Sequence, residues 1–209
     1  MDLLQTGQEI VILGVASYGL YSYTNFKKTT LELMPFYMLF VVGVQITSLI
    51  IQVFLNKTTS NALIYNIYDI VTYLFFLFWF YQVLPYKKIV VVVGITYFLI
   101  LVFVLFTEDI MYSFSLLNSG AGAILILTLV ITFFIYLINS DKVINFLSSP
   151  EFWIAIGLLT FNIGYLPLSL FLNNGIIENY TTVHIITTIL IILLYGSFGI
   201  SFALQNNRK

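Results

Sequence analysis

The chain has no cysteine, one histidine (His184), four prolines, two tryptophans and only 8% charged residues in 209. Without cysteine there is no disulfide and no thiolate to act as nucleophile or ligand, and the redox compartment stays unread. A lone histidine gives no cluster for a dedicated metal centre, since such sites gather several His, Cys or carboxylate groups. No metal or cofactor is expected. The scarcity of charge excludes more. Soluble domains carry about 25% charged residues. At 8%, with 60% hydrophobic residues, this chain cannot clothe a water-facing surface, so its main partner is a lipid bilayer. A net charge of −1 offers no basic face to nucleic acid. Catalytic signatures are missing as well: no GxSxG, no HExxH, no paired intramembrane carboxylates and no phosphate-binding loop. No lysine stands inside an apolar stretch to form a retinal Schiff base, and no regular arginines mark a voltage sensor. The chain does not read as an enzyme.

What is present is length of apolar sequence. Seven stretches approach or exceed the roughly 20 residues that cross a bilayer core of about 30 Å, at 6–24, 33–55, 61–84, 88–106, 112–138, 152–173 and 180–204. The expected fold is all-α, a polytopic seven-transmembrane helix bundle forming a single membrane domain over 1–209. The first stretch is the weakest, because Gln8 and Glu9 delay its start, and the fifth is long enough to tilt or to begin with an interfacial turn. The opening MDLLQTGQEI has acids where a signal peptide has Lys or Arg, so the first stretch is expected to be retained as a membrane helix. Loops are short, and no polar segment suggests an appended output module.

The basic residues set orientation. With the N-terminus outside, Lys27, Lys28, Lys87, Lys88, Lys142, Arg208 and Lys209 all fall on the cytoplasmic side and only Lys57 falls outside. The reading is therefore N-out/C-in. Local signals agree with the boundaries. Ser149-Pro150-Glu151 spells a helix start, Trp153 suits an interface, and Pro85 with Tyr86-Lys87-Lys88 closes the third span. Pro167 is expected to bend the sixth span. Gly120, Gly122, Gly196 and Gly199 are expected to let helices approach closely.

The polar residues inside the spans are the candidates for function. Asp69 stands about two turns into the third span, NALIYNIYDIVTYLFFLFWFYQVL, about 12 Å from its outer end. An acid at such a place costs roughly 2.5–3.5 kcal/mol on insertion scales, so it is expected to face protein rather than lipid. Tyr65 and Tyr73, four residues to either side, and Asn66, three before, share its helix face. Asn162 and Gln45 lie near the middle of spans six and two, and His184 one turn inside span seven. Together, Asp69, Asn66, Tyr65, Tyr73, Asn162, His184 and Gln45 are read as lining an outward-facing ligand site. For any single Asn or Gln an interhelical hydrogen bond, worth about 0.6 kcal/mol on average, is the simpler account. A desolvated Asp69 is open to protonation at neutral pH or to pairing with His184, although a histidine one turn from an interface reads more simply as solvated or interfacial. The twenty Phe and fifteen Tyr are read chiefly as packing and lipid-facing surface; Tyr65, Tyr68 and Tyr73 are the better contact candidates because a buried phenol seeks a partner.

Two stretches carry a resemblance. Asn66-Ile67-Tyr68 with the aromatics on to Tyr81, and Pro150-Glu151-Phe152-Trp153-Ile154 with Gly157, are similar to seven-transmembrane membrane proteins of the Bacteroidetes type. Related membrane regions there are fused to histidine kinases as sensor domains. Those sequences often carry Glu-Phe in the third span, where this chain reads Val71-Thr72-Tyr73-Leu74 and has its acid at Asp69. The resemblance implies a sensor or accessory protein of a bacterial inner membrane. It would bind a small ligand, lipid or proton in the outer half and signal through a separate partner, a histidine kinase or other membrane regulator. The alternatives are a small SWEET-like (3+1+3) solute transporter, although no repeat or Pro-Gln signature is visible, and a structural subunit of a membrane complex.

Overall fold

In lipid every backbone N–H and C=O must be satisfied within the protein, which favours helices throughout such a sequence. The computed structural model describes residues 3–54, 61–173 and 180–208, and among them there are helices and turns but no strand. The elements are α1 (Leu3–Tyr21), the single turn α2 (Tyr23–Phe26), α3 (Met34–Phe54), α4 (Ala62–Val83), α5 (Lys87–Thr107) and α6 (Leu116–Ile138). A 3-10 segment (Asp141–Ser148) precedes α7 (Pro150–Asn173) and α8 (Tyr180–Asn206). Six of these, α3 to α8, are long and apolar enough to cross a membrane. The chain is thus an all-helical protein of multi-pass character, suited to a lipid bilayer. Lys57 and Glu178, in two of the connections, lie outside the described residues, as do Asp2 and Lys209.

Helix ends fall close to those read from sequence, with one informative difference. The fifth apolar stretch begins as helix at Leu116, not at 112; the residues before it form a turn in which Ser113 N–H donates to the Asp109 carbonyl (3.0 Å). α7 starts at Pro150 and continues through Pro167. Ser149, extended in backbone, donates its hydroxyl to Glu151 Oε2 (2.7 Å).

The chain forms two compact units. The first holds the residues up to Met38 and those from Val130 onward: α1, α2, the second half of α6, the 3-10 segment, α7 and α8. Its helices meet through small residues. A Cβ on Gly157 would lie 2.0 Å from Ser197 Oγ, and one on Gly164 would lie 2.6 Å from Leu190 Cδ2. The partner number falls as the glycine number rises, so α7 and α8 run antiparallel. A Cβ on Gly19 of α1 would lie 2.7 Å from the Phe202 ring of α8, and one on Gly199 would lie 3.2 Å from Val15. Where lipid removes the hydrophobic drive between helices, close approach of this kind supplies the dispersion contacts that hold them. Gly196 and Gly120 meet nothing within 4 Å; half of the expected glycine contacts therefore form.

One end of this unit is knotted by polar contacts. Thr30 Oγ1 donates to Glu151 Oε1 (2.8 Å), Arg208 donates to the Ser148 carbonyl (2.6 Å), and the side chains of Asn25 and Asn206 are bonded to each other. Trp153 Nε1 donates to the Leu147 carbonyl (2.9 Å).

The second unit is Leu39–Leu129: most of α3, then α4, α5 and the first half of α6. α5 shows why such sequence folds. Val90, Val93, Tyr97 and Val104 are buried, one stripe at helical spacing. Val92, Ile95, Phe98, Leu99, Phe103 and Phe106 are exposed, an apolar outer face of the kind lipid covers. In α4, Phe76, Trp79 and Phe80 are buried and stack edge-on, Trp79 against Phe80 at 4.9 Å and Phe76 against Trp79 at 6.4 Å.

Candidate functional site

The first three turns of α4 carry Tyr65, Asn66, Asp69 and Tyr73, and the second unit assembles a polar cluster on them. Asn66 is 1% exposed and grips the turn that precedes α6. Its Nδ2 donates to the carbonyls of Ile110 and Ser113, both at 2.8 Å, and its Oδ1 accepts from the Ser115 amide at 2.9 Å. Ser115 Oγ in turn accepts from the Asn118 amide (3.1 Å). An irregular turn leaves backbone groups that no helix satisfies, and here one amide side chain replaces that helix. Asn66 is thereby engaged on both its nitrogen and its oxygen.

Deeper along α4, Tyr73 lies across α6. Its hydroxyl donates to the Ser119 carbonyl (2.8 Å), and its ring lies where a side chain on Gly122 would stand, 2.2 Å from an added Cβ. The same ring meets Tyr97 of α5 edge-on at 5.6 Å. Tyr97, 1% exposed, donates its hydroxyl to Asn118 Oδ1 at 3.0 Å. Asp69 faces this group: the Ser119 side chain hydrogen-bonds it, and it acts electrostatically on Tyr97. Its other oxygen, Oδ2, is buried without a hydrogen-bond partner, and so is Asn118 Nδ2. No cation stands close by along these helices. Lys87 and Lys88 open α5, ten and nine residues before Tyr97, which is about 15 Å of helix.

The remaining candidates are distributed as follows. Tyr65 is paired with Ser48 of α3 (3.1 Å), and Ser48 also accepts from Asn61 Nδ2 (3.0 Å). The polar row on α4 therefore continues from Asp69 to the helix start. Gln45, on α3, is half-buried and joins none of these bonds. Asn162 and His184 belong to the other unit. Asn162 is buried and donates to the Leu158 carbonyl one turn back (2.7 Å), while His184 is exposed. The site that forms is thus Asp69 and Tyr73 with Tyr97, Asn118 and Ser119. The last three were not singled out from sequence as ligand contacts. Asn118-Ser119 was visible as a polar pair in an apolar stretch, but Tyr97 carried no signal among fifteen tyrosines. No family model, curated protein or solved structure matches the chain.

Proposed function

We propose that this protein is a seven-span sensor or accessory protein of a bacterial inner membrane. It receives a small ligand, lipid or proton at the Asp69 cluster and passes the signal to a separate membrane partner such as a histidine kinase. The observation that carries the reading is Asp69 itself. A carboxyl oxygen buried between helices without a partner is expensive to keep in a membrane and marks a functional place by default. Packing alone gives no reason for it, because an apolar residue would serve α4 as well there. In this arrangement α1 is the seventh span, along α8, and the basic residues place the N-terminus outside and the C-terminus in the cytoplasm.

Two experiments test this. Purification in mild detergent with mass spectrometry should recover a regulator at near-stoichiometric level, and Asp69→Asn should leave recovery intact while abolishing the partner's response. Recovery of the chain alone would count against the sensor. Because the native chain has no cysteine, single cysteines at Glu108 and Asn207 can be labelled from either side. Outside labelling of position 108 and inside labelling of 207 is expected, and the reverse would overturn the orientation.

A further inference from the structure

Two buried polar atoms of the α4–α5–α6 cluster lack partners among the described residues, and they are complementary: Asp69 Oδ2 and Asn118 Nδ2. Asn118 is 1% exposed, so water does not serve its amide freely. The two residues are joined twice over. Ser119, next to Asn118, hydrogen-bonds Asp69. Tyr97, which Asp69 influences electrostatically, is bonded to Asn118 Oδ1. Every member of this row can reverse its role. A phenol or serine hydroxyl donates or accepts, an amide can turn over, and a carboxyl gains a donor on protonation.

We infer that Asp69 is a proton-binding site whose state is read by Asn118, an inference that rests on the reading of the Asp69 region as the input site. A proton from the aqueous phase adds to Oδ2 and gives the neutral acid. Its O–H then donates to Asn118 Oδ1, with the amide turned over so that Nδ2 donates to Tyr97 Oη. On release of the proton the amide returns to the arrangement of the structure, in which Tyr97 donates to Oδ1 and Nδ2 is left as an unspent donor. The other ionisable groups near Asp69 in this unit are few. α4 adds Tyr65, Tyr68, Tyr73 and Tyr81, α5 adds Tyr97, with Lys87 and Lys88 at its far end, and the turn before α6 that Asn66 grips adds Glu108, Asp109 and Tyr112. Positions 39–54 of α3 and 116–129 of α6 carry none. Asn118 stands in the first turn of α6, beside the turn that Asn66 grips, so reversal of the amide acts directly on the start of that helix.

Infrared difference spectroscopy of the full chain in lipid nanodiscs, titrated with acid, tests this without any partner. A carboxylic-acid C=O band should appear reversibly, vanish in Asp69→Asn, and shift in frequency in Asn118→Leu and in Tyr97→Phe. Should the leucine variant fail to fold, Tyr97→Phe, which keeps the ring, decides alone. Absence of an Asp69-dependent band, or a band unmoved by both variants, overturns the inference. Partner response lost in Asp69→Asn alongside a null spectrum would leave the sensor reading standing with another ligand; a normal titration with no partner would do the reverse.

Discussion

The two units of this chain solve the same problem, holding helices together without water's help, in different ways. In the unit of α1, α7 and α8, glycines let backbones approach. Its buried unpartnered polar atoms among the described residues are hydroxyls only, on Ser22, Thr188 and Ser201. A hydroxyl is small and can turn to a carbonyl of its own helix, so it costs little. The unit of Leu39–Leu129 leaves a carboxyl, two amide atoms and the Trp79 indole N–H without partners. Those groups cannot satisfy themselves locally. One unit is built to pack; the other keeps polar chemistry in reserve.

The comparison can be broken by exchanging the kinds of perturbation. The largest effect is expected from Gly157→Val, which drives a branched side chain into Ser197 Oγ and the Leu194 carbonyl. Overpacking of this kind should cost about 3 kcal/mol, seen as early unfolding in a detergent melt. Asn66→Leu comes close behind, at about 2 kcal/mol, because it strands two carbonyls and an amide. Its effect should be concentrated as faster hydrogen exchange in 108–118. Gly122→Ala is expected to cost about 1–2 kcal/mol, since the Tyr73 ring must yield while its hydroxyl is held by Ser119. Asp69→Asn should leave stability in a detergent melt unchanged or raise it by about 1 kcal/mol, because a buried acid with one unpartnered oxygen gives way to a neutral amide. A variant that is stable yet unresponsive would separate reserve from packing. Destabilisation by more than about 2 kcal/mol would instead make Asp69 a structural residue. The smallest change belongs to Gly196→Ala, which meets open space and should gain up to about 0.5 kcal/mol from helix propensity.

Asp69 and its face of α4 were legible in the sequence because periodicity alone puts Tyr65, Asn66 and Tyr73 beside it. The share each residue has in the cluster was not. Asn66 reads as a ligand contact when seen only as an amide in a span, yet its work depends on the turn before α6, which no periodicity announces. Asn162 gives the opposite lesson, since its amide is satisfied one turn back on its own helix. His184 was open as a partner for Asp69 but read more simply as a solvated or interfacial histidine, and it is exposed.

By itself, the sequence determined that the chain is helical and belongs in lipid, and it placed the helix ends to within a few residues. Those properties follow from composition, from caps and from the bilayer's thickness, all of which act locally along the chain. Only the tertiary structure decided which helices touch. That in turn decided that Ser119 would bond Asp69, that Tyr97 would bond Asn118 and that Gly157 would lie against Ser197. These contacts depend on the angle and register at which helices meet, and two atoms far apart in the chain carry no record of that in their own neighbourhoods.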